Sequence, residues 1–149
     1  MPQRTILFAT DFSTASDAAL HHAEALARQA GARLLIVHVE EPPLAYGGGE
    51  LYYGIPEPDS ARIQAMLEAV KPAATDIPFA HRMGIGDPAT EIVRIAGDEG
   101  VELIVIGTHG RTGMLRLLMG SVAEAVVRRA PCPVMVYRAP VPATVTVPA

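Results

Sequence analysis

Four glycines mark one junction of this chain as the place best suited to hold a ligand. Gly107-Thr108-His109-Gly110-Arg111-Thr112-Gly113 follows the apolar run 101–106, and Gly120-Ser121 stands where a helical pattern resumes. Glycine tolerates positive φ and lets another molecule approach the backbone, so such a segment between a buried strand and a helix start suits a phosphate. Gly107 and Gly110 would turn backbone N–H groups toward it, and Gly120 would permit close approach. Ser121 would add a hydroxyl at the positive end of a helix dipole. The same residues also have a plainer reading, in which the glycines make turns and Ser121 is an ordinary N-cap. Both readings stand on the sequence.

Asp11 has two roles open to it. Its carboxylate would accept from ribose hydroxyls, each charge-assisted bond contributing about 1.5 to 3 kcal/mol, or it would cap the first helix beside Ser13. Val39, at the end of a second apolar run, would pack on a base. Arg111 and Arg116 are candidates for pairing with phosphates, although charges on exposed loops are usually only solvated, and His109 has no placed partner. Neither a Gly-Lys-Ser/Thr phosphate loop nor a G-x-G-x-x-G fingerprint is present. His21-His22-x-Glu24 lacks the spacing of a two-histidine zinc pair, His38 reads as a strand histidine near the site, and His81 as a surface or edge residue. Ser13, Ser16 and Ser60 all stand at helix starts, outside any G-x-S-x-G elbow. The segment offers donors but no clear base and no carboxylate cluster for tightly held magnesium, so binding without efficient catalysis is expected.

The elements that must position these residues alternate. Residues 4–9, 34–39 and 103–106 are continuous apolar runs, as in parallel strands covered on both faces. Between the first two, Thr14-x-x-Asp17 resembles a capping box. Ala19, Leu20, Ala23, Leu26, Ala27 and Ala30 then recur at helical spacing up to Gly31. Asp59-Ser60 open a second helix that presents Ile63, Met66, Leu67 and Val70. Residues 78–83 are a weaker strand. Asp87-Pro88 cap a third helix with Ile92, Ile95 and Ala96 on its apolar stripe, residues 121–129 form a fourth, and 134–137 a fifth strand.

Five strands alternating with four helices give a single doubly wound α/β domain with a parallel sheet. Orders 2-1-3-4-5 and 3-2-1-4-5 compete. Ligands bind where the strand order reverses, and the site signals follow strands 1 and 4, whereas Gly84-Ile85-Gly86-Asp87 reads as a turn into a capped helix. The order 3-2-1-4-5 is therefore expected. Residues 41–58, with Tyr46, Tyr52 and Tyr53, are long for a connection and read as a mobile loop or a lid over a base. The domain is expected over 1–139, with a proline-containing tail over 140–149.

Half of the 149 residues are apolar, enough for one sizeable core. The net charge of −4, with Lys71 the sole lysine, argues against a nucleic-acid or anionic-membrane surface. No apolar run approaches the roughly 20 residues that span a bilayer, and the start lacks a signal-peptide core, so a soluble cytoplasmic protein is expected. Cys132, the only cysteine, reads as a small buried hydrophobe between Pro131 and Pro133.

Gly107, Gly110, Gly120 and Ser121 fit the pattern Gly-x-x-Gly, nine residues, Gly-Ser/Thr, and the chain thereby resembles the universal stress protein family. Thr10-Asp11-Phe12-Ser13, His38-Val39, Gly86-Asp87-Pro88 and Ala130-Pro131-Cys132-Pro133-Val134 are similar to the family's other landmarks, so the resemblance runs to about Arg138. It implies a Rossmann-like fold of the adenine nucleotide alpha hydrolase type and an ATP-binding member of the family. By resemblance, Ala9, Thr10, Asp11 and Val39 would surround adenosine. Gly107, Thr108, His109, Gly110, Arg111, Thr112 and Gly113 would carry the phosphates with any Mg2+, and Ser121, Val122 and Ala123 would complete the phosphate end beside Gly120. Homodimers are typical of the family, and an apolar edge strand near Val134 to Tyr137 is a physical reason to expect one. The proline-containing tail departs from the family pattern. The function implied is an ATP-dependent switch in the stress response. The alternatives are a slow ATP hydrolase or nucleotidyl transferase, and a nucleotide-free dimeric scaffold.

Overall fold

β-branched and leucine-rich runs bounded by polar turns fold here into strands whose side chains alternate between two covered faces. The structure is a computed structural model that describes residues 3–42, 60–108 and 120–138. Its elements are β1 Thr5–Ala9, α1 Thr14–Ala30, β2 Arg33–Glu40, α2 Ser60–Ala69, β3 Phe79–Ile85, α3 Pro88–Asp98, β4 Leu103–Thr108, α4 Ser121–Arg129 and β5 Val134–Arg138. The sheet order is β3-β2-β1-β4-β5 with every pair parallel, the order expected from the placement of the site signals.

β1 is buried along its whole length because it is the central strand. Ile6 and Phe8 join the cluster under α1 and α2, with Ala19, Ala23, Ala27 and Leu67. Leu7 and Ala9 join the opposite cluster under α3 and α4, with Ile92, Ile95, Ala123 and Val126. Alanines at four-residue steps let α1 lie close to the sheet. At Gly107 a Cβ would stand only 3.0 Å from the Ala15 carbonyl oxygen.

Several local expectations shift. Ser13, not Thr14, caps α1, its hydroxyl accepting from the Ser16 N–H at 3.2 Å. The stop at Gly31 is as expected, with φ 63°. Gly107 and Thr108 belong to β4 rather than to a loop, because β4 continues in register with Tyr137 and Arg138 of β5. β3 runs on to Ile85, since it stays paired with β2 as far as Glu40. In α2 only Leu67 is buried: Met66 is exposed and Val70 lies beyond the helix, because a helix over a sheet edge has one narrow covered face. Ser121 is the first helical residue of α4, and the N-cap is Gly120. Cys132 is only partly buried, packed on the α3–α4 cluster, and burial pushes its thiol pKa up.

The lid expectation over 41–58 falls almost wholly outside the described residues, as do the tail from residue 139 and the loop stretch 109–119 with Arg116. No helix among the described residues is long and apolar enough to cross a membrane.

Candidate functional site

The cleft follows from unequal strand lengths. The last residue of β1, Ala9, is level with Val37 of β2 and Ile106 of β4. β2 continues to Glu40 and β4 to Thr108. The strand order reverses at the same place, since the chain leaves β1 toward β2 on one side and leaves β4 toward β5 on the other. The result is a cleft of about 580 Å3 at the carboxyl ends of the strands, floored by the end of β1 and walled by the overhanging ends of β2 and β4.

The turn after β1 is held by its own polar groups. The Asp11 carboxylate accepts from the Ser13 N–H at 2.9 Å and from the Ser16 hydroxyl at 2.7 Å, while the Asp11 N–H donates to the Ser16 hydroxyl oxygen at 3.2 Å. Asp11 thus braces the turn into α1 while Ser13 supplies the cap, and the residue still lines the cleft. Phe12 takes φ 65°, a left-handed conformation that costs energy for a bulky residue. Two contacts hold it there: its N–H donates to the Thr10 hydroxyl at 3.0 Å, and its ring lies 4.3 Å from that of His38. His38 Nδ1 is 2.8 Å from the Thr10 carbonyl oxygen. A carbonyl only accepts, so Nδ1 is the donor and carries the proton. His38 is thus near the site, as expected, and braces the turn that carries Asp11.

Of the helices that begin at this end of the sheet, α1, α3 and α4 have described caps, and the three differ. α1 is capped by Ser13, and α3 by Asp87, whose carboxylate accepts from the Thr90 N–H at 3.0 Å and the Thr90 hydroxyl at 2.7 Å. Those bonds hold the Asp87 pKa below the usual aspartate range. α4 has Gly120 as N-cap and no side-chain cap. Its first intrahelical bond is Glu124 N–H to the Gly120 carbonyl, so the N–H groups of Ser121, Val122 and Ala123 precede the ladder and sit at the positive end of the dipole. The Gly120 N–H donates to Thr108 Oγ1 at 3.3 Å, which ties the start of α4 to the end of β4.

Of the fifteen residues singled out from sequence, ten are described: 9–11, Val39, 107–108 and 120–123. All ten line this one cleft. His109, Gly110, Arg111, Thr112 and Gly113 lie outside the described residues. Gly107 has a structural reason of its own, since its missing side chain admits the backbone of α1. The sequence reading missed Glu40. Only 7% exposed, it lines the cleft with its carboxylate oxygens 3.2 and 3.3 Å from the Ser60 hydroxyl. A carboxylate closing an apolar strand run was the available signal. Ile63, Pro88 and Ile92 add apolar wall.

One face of the cleft thus presents N–H donors and the opposite end a carboxylate, with the Asp11 turn and apolar surface between, an arrangement suited to an elongated ligand with an anionic end. Among the described residues no group of three His, Cys, Asp or Glu side chains is placed to hold a metal.

Comparison with known proteins gives a coherent picture. Residues 3–138 match the model of the universal stress protein family. A universal stress protein of Thermus aquaticus is 36% identical over 141 residues, covering 91% of this chain and 98% of the relative. One of Methanocaldococcus jannaschii is 29% identical, covering 91% of this chain and 94% of the relative. The solved structure of the latter superposes with a TM-score of 0.73 at 27% identity, covering 95% and 99% of the two chains. Another universal stress protein, solved in complex with cAMP, is 26% identical with a TM-score of 0.57, covering 92% and 98%.

Proposed function

This chain belongs to the universal stress protein family, and we propose that it binds ATP in the cleft and acts as a nucleotide-dependent switch in the stress response rather than as an efficient enzyme. The observation that carries this reading is the uncapped start of α4 at the cleft wall. Three backbone N–H groups and the dipole end meet there with no side-chain acceptor of the helix's own. A phosphate satisfies them. The fit is supported by the width of the cleft: β1 lies between β4 and β2, so about 4.8 Å of strand spacing separates the phosphate side from Asp11, and the same again separates Asp11 from Val39. Phosphate, ribose and base of one nucleotide are spaced in the same order. The relative solved with cAMP lends further support to an adenine nucleotide.

ATP brings to the site a charged phosphate chain whose occupancy changes which groups at the cleft rim are neutralised. The α4 N–H groups hold the phosphate end, Asp11 accepts from ribose hydroxyls, and Val39 covers the base. Magnesium is assigned to the nucleotide's own phosphates. Among the described residues the β4–α4 wall lines the cleft with hydrogen-bond donors and no titratable side chain, which favours retention over turnover. A second copy of the chain is assigned to the edge strand β5, whose residues Val134 to Tyr137 are only partly covered. Light scattering should then give twice the 15.7 kDa chain mass.

The test is calorimetric titration of ATP, with and without magnesium, into protein stripped of nucleotide by unfolding and refolding. Micromolar binding, with phosphate release no faster than in buffer, is the expected result. Absence of heat and of thermal shift at millimolar ATP would leave the scaffold reading in its place, and steady release abolished by Asp11→Ala would favour the hydrolase.

A further inference from the structure

Glu40 is a buried carboxylate whose acceptor capacity its one described donor, the Ser60 hydroxyl, does not fill. It closes β2, is 7% exposed, and lines the cleft two strands away from the uncapped end of α4. Its one hydrogen-bond donor among the described residues is the Ser60 hydroxyl, which lies nearly equidistant from both oxygens, at 3.2 and 3.3 Å. A single hydroxyl supplies one proton, and a carboxylate has about four lone-pair sites, so acceptor capacity remains at a place shielded from bulk water. Glu41 beside it is exposed and also lines the cleft. The cleft is therefore polarised, with donors at α4 and acceptors at the end of β2.

We propose that Glu40 is a specificity residue that accepts a hydrogen bond from the exocyclic amine of the nucleotide base. The inference rests on the nucleotide reading above and deepens it. Orientation comes first: phosphates at the Glu40 end would meet two carboxylates, whereas phosphates at α4 meet three N–H groups, so the base is the part that reaches β2. Donor and acceptor matching comes second. The 6-amino group of adenine donates to a carboxylate. A 6-keto oxygen in the same place offers lone pairs to lone pairs, and a buried acceptor left unpaired weakens binding by an amount comparable to a lost charge-assisted bond. Val39 covers the face of the base, and Glu40 reads its edge.

Titration of ATP and of ITP, which carries a keto group where adenine has its amine, into the nucleotide-stripped chain tests this. The wild-type chain should bind ATP about tenfold or more tighter than ITP. Glu40→Gln, which keeps an acceptor for Ser60 and adds an amide donor, should weaken ATP, leave ITP no weaker, and bring the ratio near one. Glu40→Asp, which withdraws the carboxylate by one methylene, should also lower the ratio. Equal affinity for ATP and ITP in the wild-type chain overturns the role of Glu40 and needs no variant to be read. A Glu40→Gln loss of the same factor for both nucleotides overturns it too, since the residue would then serve the sugar or the fold. Failure of the wild-type chain to bind either nucleotide overturns both this inference and the nucleotide reading, whereas equal binding overturns this one alone.

Discussion

A Cβ placed on Gly107 would lie 3.0 Å from the carbonyl oxygen of Ala15, so the missing side chain at the end of β4 is what admits the first turn of α1. The same close approach sets Ser16, and with it Asp11, against the floor of the cleft. Gly107→Ala should therefore act first on stability: the obstacle is backbone and can yield only by moving α1. A loss of about 1 to 3 kcal/mol is expected from such overpacking, measured by urea unfolding. Unchanged stability would show that α1 moves away freely.

At the start of α4 the backbone donors can be removed without disturbing the helix. Gly120 has ψ 160°, the extended conformation that a residue before proline prefers, and position 121 is the first helical residue, where proline is well tolerated. Ser121→Pro should leave the unfolding midpoint nearly unchanged and weaken ATP by about tenfold, the value of one charge-assisted bond of about 1.5 kcal/mol. Calorimetry and thermal melting on the same sample separate the two effects. Unaltered affinity would mean that the phosphates do not use this N–H.

His38 bridges the end of β2 and the turn after β1. Replacing it with leucine removes the donor to the buried Thr10 carbonyl and the ring beside Phe12, and should cost about 1 to 3 kcal/mol. His38→Asn carries an amide N–H near the position of Nδ1 and should recover part of that loss. If the asparagine variant unfolds as easily as the leucine variant, the hydrogen bond contributes little and the ring contact is what matters.

The cap of α3 gives an acid-side prediction. Hydrogen bonds from Thr90 hold the Asp87 pKa below its ordinary value of 3.8. A depressed carboxylate pKa contributes stability that is complete above the unfolded-state value and is lost as the pH falls through the folded-state value. Asp87→Ala should lower the melting temperature at neutral pH. The gap between variant and wild type should close as the pH falls below about 3.8. A gap that does not narrow as the pH falls would assign the effect to packing instead of to the ionised cap.

The alternation of apolar runs with capped, amphipathic segments was legible without coordinates because periodicity and caps are local properties. Even the strand order followed, since Asp11 and the glycine segment had to share one crevice and only one of the two orders places β1 beside β4. The ten described site residues converge for the same reason: each lies at or just past a strand end or at a helix start on the carboxyl edge of the sheet. What the residues alone left undecided was partnership. Ser121 reads as a phosphate contact or as an N-cap, Asp11 has two possible sets of donors, and Gly107 reads as a phosphate contact or as a turn. Those choices depend on which atoms the fold brings within about 3 Å, the reach of a hydrogen bond or a hard contact. Glu40 makes the point most sharply. In the chain it is one of two adjacent glutamates, and only the overhang of β2 beyond the last residue of β1, with α2 packed beside it, turns it into a buried acceptor at the end of a cleft.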